Sequence, residues 1–163
     1  MNFTKIIIVL CFNLIFTACL VEPEESENPD LLGWWGPELP ENPSKQEFFE
    51  YNCFGKGGVF HFLELGYRKY MGKDVLYQIN WFEGTWNSNG DNLSLQYQKS
   101  GYVYSSDSLE SDWKSKIEWE PENGSITVKF SVSDSQLSLT SGGESEAVQK
   151  AQEIDALKGV CDY

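Results

Sequence analysis

The stretch WKSKIEWEPENGSITVKFSVSDSQLSLT, residues 113–140, contains the pattern that decides the fold. Between residues 126 and 132, large apolar side chains occupy every second position and alternate with Thr, Lys and Ser. The same alternation occurs at 113–119 and at 137–140. A period of two places the apolar side chains on one face of a strand, so these segments predict a half-buried antiparallel sheet.

Turn residues divide the chain on both sides of this stretch into short strands. Segments 55–58, 88–91, 121–124 and 133–135 are rich in Gly, Asn, Asp and Ser, which favour turns. Short strands at this spacing predict an all-β fold, an antiparallel up-and-down barrel of about eight to nine strands. The expected strands lie near 32–36, 46–54, 58–66, 75–82, 84–87, 92–98, 101–105, 112–120 and 125–140.

One α-helix is expected after the strands, at 142–158. Ser141 and Glu144 fit a capping box at its start, and Gly159 fits the stop at its end. The apolar stripe expected to face the barrel consists of Ala147, Val148, Ala151, Ile154 and Leu157.

The N-terminus has the composition of an export signal. Lys5 precedes a mostly apolar run at 6–16, which is shorter than the roughly 20 residues needed to span a membrane. The tetrapeptide FTAC that ends at Cys19 resembles a bacterial lipobox. This resemblance implies that residues 1–18 are a lipoprotein signal peptide and that Cys19 is lipidated. An ordinary secretory signal that contains a Cys is the alternative.

The lipobox resemblance implies a location in the bacterial cell envelope, at the outer membrane or cell surface, with the lipid bilayer as partner of the anchor. Residues 20–30 hold five acidic residues, no basic residue and two prolines. This composition predicts that 19–30 form a solvated acidic tether. Residues 31–163 then form the folded domain.

The charge and length narrow the function classes. The chain has 163 residues, a length that suits one domain. Its formal net charge of -13 argues against nucleic acid as a partner, because phosphate binding requires clustered Lys and Arg. One His and four Cys leave little for a metal centre, so neither a metal nor a cofactor is expected.

Several short segments between residues 31 and 141 carry a resemblance to a known family, among them segments at 33–35 and 84–86. Gly33 and Trp35 form the Gly-x-Trp motif that opens the first strand of lipocalins, and GTW at 84–86 resembles the second hairpin of small bacterial lipocalin-like domains. The resemblance implies a lipocalin-like barrel that binds a small hydrophobic or amphipathic ligand without catalysis.

Cysteine counting predicts a disulfide within the domain. Cys11 leaves with the signal peptide and Cys19 takes the lipid, so that Cys53 and Cys161 remain. An even remainder in an exported chain suggests one bridge, and lipocalins often join a barrel strand to the C-terminal tail in this way. Two buried free thiols are the alternative.

The candidate ligand site lies at the mouth of the expected barrel. Tyr77 and Trp81 are four residues apart in one expected strand, so alternation places them on one face. Trp34 is the third aromatic residue expected there, and core packing is the alternative for each. Arg68 and Lys69 belong to the basic cluster of the domain and would face an anionic head group, unless they are simply solvated.

The sequence therefore predicts a non-catalytic binding protein. His61 lies in an aromatic segment, with no nucleophile and orienting acid at a recognisable spacing. The alternative function is a solid barrel on the cell surface that binds or inhibits an envelope protein. Trp113, Trp119, Tyr97 and Phe130 are expected to point inward, and if they meet at the axis no ligand cavity remains.

Overall fold

The computed structural model describes residues 28–39, 47–152 and 157–161. The predicted signal peptide, Cys19 and the part of the tether before Asn28 lie outside these residues. Lipidation of Cys19 therefore stays a prediction from the sequence.

Eight antiparallel strands form a closed barrel, in which each strand pairs with its neighbours in chain order and the last pairs with the first. This arrangement confirms the predicted all-β, up-and-down barrel. The strands are β1 (Gly33–Gly36), β2 (Glu47–Phe54), β3 (Val59–Tyr70), β4 (Lys73–Asn89), β5 (Asn92–Tyr104), β6 (Glu118–Ser133), β7 (Gln136–Ser141) and β8 (Glu144–Lys150).

The predicted α-helix at 142–158 is wrong where the structure describes that segment. Residues 144–150 form β8, which pairs with β7 on one edge and with β1 on the other. Gly142 and Gly143 have φ of 60° and 89° and make the turn between β7 and β8, as Gly-Gly pairs do in hairpins. By pairing with both β7 and β1, β8 closes the barrel and leaves neither β7 nor β1 with an unpaired edge. The stabilisation from this pairing outweighs the local helix preference of the segment. Residues 153–156 lie outside the described residues.

The long strands replace pairs of shorter predicted ones. β4 joins the strands predicted at 75–82 and 84–87, and β5 joins those predicted at 92–98 and 101–105. The pairing of β4 with β5 shifts register at Gly84. A β-bulge absorbs an extra residue within a continuous ladder, so these irregular segments bend a strand and do not end it.

β6 also differs from its prediction. The turn predicted at 121–124 lies inside the strand, where Pro121 faces an irregularity of β5 between Tyr97 and Lys99. Pro has no backbone N–H for the ladder and is tolerated at such irregularities. Trp113, predicted in a strand, begins a short 3-10 helix before β6.

The inner face of the barrel, which faces its axis, is filled at one end. Apolar side chains from all eight strands meet there, and the inner face is the surface that all strands of a closed barrel share. Phe54 packs against Phe60 and Trp86 with ring centroids 5.4 and 5.5 Å away. We call this part the closed end. Its inner core comprises Leu31, Trp35, Phe54, Phe60, Trp86, Leu93, Leu95, Val128, Phe130 and Leu137, with Val148 against it.

A second core lies on the outer face of the same sheet, toward its other end. Successive strand residues point to opposite faces, and accordingly Trp35 belongs to the inner core and Trp34 to the second one. Trp113 and Leu157, from segments outside the strands, cover this outer core. We call this part the open end. The outer core comprises Trp34, Tyr51, Cys53, Leu63, Leu65, Ile79, Trp81, Val103, Trp113, Leu157 and Cys161.

The two segments that cover the outer core, the short helix that begins at Trp113 and residues 157–161, are together called the cover. A disulfide fixes the cover to the barrel. Cys53 of β2 is bonded to Cys161 with a Cα–Cα distance of 6.3 Å, within the usual range for disulfides. This confirms the predicted pairing. The Lys114 ammonium also donates to the main-chain oxygen of Lys158 at 2.6 Å, so the two covering segments are joined to each other.

Candidate functional site

Beyond the inner core, the inner face of the barrel is accessible to solvent. There β2 extends past its pairing with β1, and β6 extends past its pairing with β7. Within the described residues, β1 pairs with β2 from Asn52 to Phe54, and β7 pairs with β6 from Lys129 to Ser133. The remaining parts of β2 and β6 border two cavities of about 520 and 510 Å³. Both cavities are lined by Phe62, so they adjoin. Together we call them the inner groove.

Aromatic side chains line the inner groove and connect it to the inner core. Tyr97 lies 5.9 Å from Phe60 of the inner core and 5.9 Å from Phe82, measured between ring centroids. Phe82 lies at the same distance from Phe62. A chain of aromatic contacts therefore leads from the filled part of the barrel into the groove. The groove aromatics are Phe48, Phe62, Phe82, Tyr97 and Tyr102.

Several apolar groups of the groove face solvent. Phe48 is 45% exposed, Tyr102 is 47% exposed and Ile126 is 39% exposed. Exposed apolar side chains gathered in a concave surface are typical of a binding site, whereas single ones on a convex surface are ordinary.

The groove is strongly acidic. Within the described residues, no Lys, Arg or His lines either cavity. Burial raises the pKa of Glu50, and the negative charges of Glu146 and Glu64 raise it further. Glu64 accepts a hydrogen bond from Asn80 Nδ2 at 2.5 Å. The groove carboxylates are Glu50, Glu64, Glu118, Glu120 and Glu146.

Two of the predicted site residues, Trp34 and Trp81, lie in the outer core and not in the groove. Trp81 Nε1 donates to His61 Nδ1 at 3.1 Å, and its ring centroid is 5.8 Å from that of Trp113 and 5.1 Å from that of Trp119. Both predicted residues are buried. The contact of the Trp81 ring with Trp113 joins the covering segment to the sheet.

Tyr77 lies on the opposite face from Trp81. The pairing of β3 with β4 shifts register after Gly66, so that β4 has an extra residue at Tyr77 and the alternation reverses there. Tyr77 accordingly contacts Phe48 of the groove, with ring centroids 6.4 Å apart. A bulge of this kind leaves no simple mark in the sequence.

The two predicted basic residues do not line the groove. The Arg68 guanidinium lies 4.8 Å from the centre of the Tyr77 ring, and its Nη2 donates to the main-chain oxygens of Ser105 and Ser106. Lys69 is exposed near the end of β3. The structure thus brings Arg68 and Tyr77 together and leaves the other predicted site residues apart from them.

The Gly33 and Trp35 motif lies at the closed end. Gly33 has a φ of 110°, a conformation that favours glycine. Trp35 is fully buried, and its Nε1 donates to the Leu31 main-chain oxygen at 2.7 Å. The Lys150 ammonium lies 4.4 Å from the centre of the ring. These contacts seal the closed end of the barrel.

His61 is buried under the cover. Its Nδ1 lies 3.8 Å from Glu83 Oε2, and Glu83 pairs with Lys99 at 2.9 Å. Burial lowers the pKa of His61 more strongly than Glu83 raises it. The neutral ring accepts the hydrogen bond of Trp81, which is a packing arrangement.

The groove side chains are not among the site residues that the sequence suggested, although Tyr97 was expected to point into the barrel. The sequence pattern that marks the groove is a strand face on which aromatic residues alternate with acidic or amide residues. A core face would be wholly apolar and a solvated face wholly polar, so this mixed pattern fits neither. It occurs as Phe48-x-Glu50-x-Asn52 on β2, Phe62-x-Glu64 on β3 and Asn80-x-Phe82 on β4.

Comparisons with known proteins give no match: no protein family, curated protein or solved structure matches this chain significantly. Among the described residues, no helix is long and apolar enough to cross a membrane. The same part of the chain holds no group of three or more His, Cys, Asp or Glu side chains placed to bind a metal ion.

Proposed function

We propose that this protein is an envelope-anchored, lipocalin-like lipoprotein that binds a small amphipathic molecule in the inner groove without catalysing a reaction. The observation that supports this most is the groove itself, an open, aromatic-lined concavity beside a filled closed end. Each of its two cavities, about 510 and 520 Å³, falls within the range of roughly 300–1,000 Å³ common for small-molecule sites.

The groove is a better candidate than the outer core. The outer core is packed with large side chains and covered by two segments that a disulfide holds in place. The groove instead exposes Phe48 and Tyr102 to solvent. A ligand entering the groove would bury apolar surface without displacing any part of the described chain.

The envelope anchor is the part of the proposal that rests on the sequence. The FTAC tetrapeptide at 16–19 resembles a lipobox, and the acidic segment after it suits a tether. Replacing Cys19 with Ser should abolish incorporation of a labelled fatty acid into the protein in bacterial cells. Equal labelling of the wild type and the variant would contradict lipidation.

Binding in the groove can be tested with a neutral fluorescent amphiphile, N-phenyl-1-naphthylamine. Its fluorescence should rise on addition of the protein, and the Phe48→Ala/Ile126→Ala variant should bind it several-fold more weakly because two exposed apolar contacts are lost. Val59→Ala is the matched control, since Val59 is 38% exposed but lies outside the groove. No rise in fluorescence, or an equal loss in both variants, would contradict the proposal.

The alternative remains a surface module that binds an envelope protein. The filled closed end favours it, because a solid barrel offers its rim and loops and not its interior. Protein capture by the groove face without any binding of small amphiphiles would support this alternative.

A further inference from the structure

We infer that the inner groove selects amphipathic molecules with a positively charged head, an amine or quaternary ammonium group joined to an apolar tail. This inference rests on the proposed function and specifies the ligand class of the same groove. It is carried by the arrangement of aromatic and acidic side chains in two adjacent rows across the sheet.

The acidic row crosses five strands. Cross-strand pairing places Glu50, Glu64, Asn80, Tyr102 and Glu118 directly beside one another, from β2 to β6. Glu50 and Glu64 are direct cross-strand partners, and like charges in this position repel each other. A bound ammonium group would offset that repulsion, and the exposed Tyr102 ring offers it a π-face.

The apolar row lies one step nearer to the closed end. Phe62 and Phe82 are cross-strand partners and line the groove, and Tyr97 follows them toward the inner core. Leu95 and Val128 of the inner core line the same cavity. An amphipath would therefore place its tail toward the closed end and its head at the acidic row.

The groove carboxylates differ from Glu83 and Asp91 in having no cationic partner. Glu83 pairs with Lys99 at 2.9 Å, and Asp91 pairs with Lys129 at 2.7 Å. Within the described residues, none of the five groove carboxylates forms an ion pair. Charge complementarity thus favours a cationic occupant.

An anionic head group has little to bind here. A fatty-acid carboxylate at the acidic row would join like charges in a partly desolvated groove. Arg68, the basic residue beside Tyr77, already donates to the main-chain oxygens of Ser105 and Ser106. The expectation of an anionic head group, drawn from the basic cluster at 68–73, is therefore replaced by its opposite.

Three probes with a C12 alkyl tail test the inference by calorimetric titration below their micellar concentrations: dodecyltrimethylammonium, dodecyldimethylamine N-oxide and tridecanoate. The purified protein should bind the ammonium probe about tenfold or more tightly than the uncharged N-oxide, as expected from one or two favourable charge contacts. Tridecanoate should bind most weakly.

The variant Glu50→Gln/Glu146→Gln should remove most of the preference for the ammonium probe and leave binding of the N-oxide intact. Glu47→Gln/Glu144→Gln is the matched control, because it removes two charges from the same two strands outside the groove lining. Circular dichroism checks that both variants fold. An equal loss in the control would show that the net negative charge of the chain, and not the groove, attracts the cation, and would overturn the inference.

The outcomes separate this inference from the proposed function. Equal binding of all three probes, or tighter binding of tridecanoate, contradicts a cationic ligand while the groove stays a site for amphipaths. No binding of any probe contradicts the proposed function itself. Binding of an oligolysine peptide without binding of the ammonium probe would overturn the inference in favour of a basic protein segment.

Discussion

The two ends of the barrel bury opposite faces of one sheet. At the closed end, the inner face is packed with Phe54, Phe60 and Trp86, and the outer face carries polar groups such as Ser94 and Thr127. At the open end, the outer face is the buried one and the inner face forms the groove. The same strands, β1 to β5, contribute to both cores.

This difference shows what determines which face of a strand is buried. A closed ring of strands buries its inner face wherever side chains from all strands reach the axis. Where the ring splays apart, a covering segment buries the outer face instead. Here the disulfide between Cys53 and Cys161 holds the covering segment against the outer face. Which face is buried at the open end therefore depends on a C-terminal segment that is distant in sequence from the strands it covers.

The largest expected effect is a difference in how much a Phe→Ala substitution lowers the free energy of unfolding at the two ends of the barrel. Phe60→Ala removes a fully buried ring from the inner core and should lower the free energy of unfolding by about 3–5 kcal/mol. Phe48→Ala removes an inner-face ring that is 45% exposed at the open end and should cost clearly less. Urea denaturation of both variants checks this, and similar losses would mean that the groove is as tightly packed as the inner core.

The next effect concerns the cover. The variant Cys53→Ala/Cys161→Ala should cost about 2–5 kcal/mol, because the bond closes a loop across a sequence separation of 108 residues. Amide exchange should accelerate first in the outer core, around Trp113, and last around Phe60 in the inner core. Uniform acceleration at both ends would contradict their separate packing.

A smaller effect is expected from two glycines on the inner face. A Cβ at Gly84 would overlap the main-chain oxygen of Gln96, so Gly84→Ala should cost about 1–3 kcal/mol. A Cβ at Gly66 would meet side chains of Phe48 and Tyr77, at 3.0 and 3.2 Å, and these can shift. Thermal unfolding should therefore show a larger loss for Gly84→Ala, and the reverse order would contradict the close strand approach at Gly84.

The smallest effect is a pH dependence located in the outer core. His61 has its pKa lowered below the ordinary 6.5, so the unfolded chain binds its proton more tightly than the folded one. Its stabilising contribution is present above pH 6.5 and is lost as pH falls toward the lowered pKa, because a protonated Nδ1 cannot accept from Trp81. Urea midpoints measured from pH 7.5 downward should show this decline, and His61→Gln should lack it. A wild-type midpoint that stays constant or rises over this range would contradict the assignment.

The barrel and its disulfide could be predicted largely from local patterns and cysteine counting, whereas the closing strand β8 could not. Alternation and turn residues were sufficient for an antiparallel barrel, and cysteine counting was sufficient for the disulfide. Segment 144–150 contains the first two residues of the apolar stripe expected for the helix and follows a Gly-Gly turn, and pairing with both β1 and β7 makes it a strand. The local sequence does not show the stabilisation that this long-range pairing provides.

The candidate site was harder to predict because alternation identifies a face but not its direction. Strict alternation along β4 would place Trp81 and Tyr77 on the same face, but the bulge opposite Gly66 reverses the alternation between them. Trp81 then packs under a cover that comes from distant parts of the chain. The groove acids looked like ordinary solvated residues in the sequence, since their grouping arises only from the register of five strands.

The most direct test of the account is to locate a bound ligand. Crystals of the protein grown with a dodecyltrimethylammonium analogue that has bromine at the end of its tail would show the bromine by anomalous scattering. The bromine should lie beside Phe62, Tyr97 and Leu95, on the closed-end side of the acidic row. Bromine under the cover beside Trp81 and Trp113, or a groove empty at saturating ligand, would contradict it.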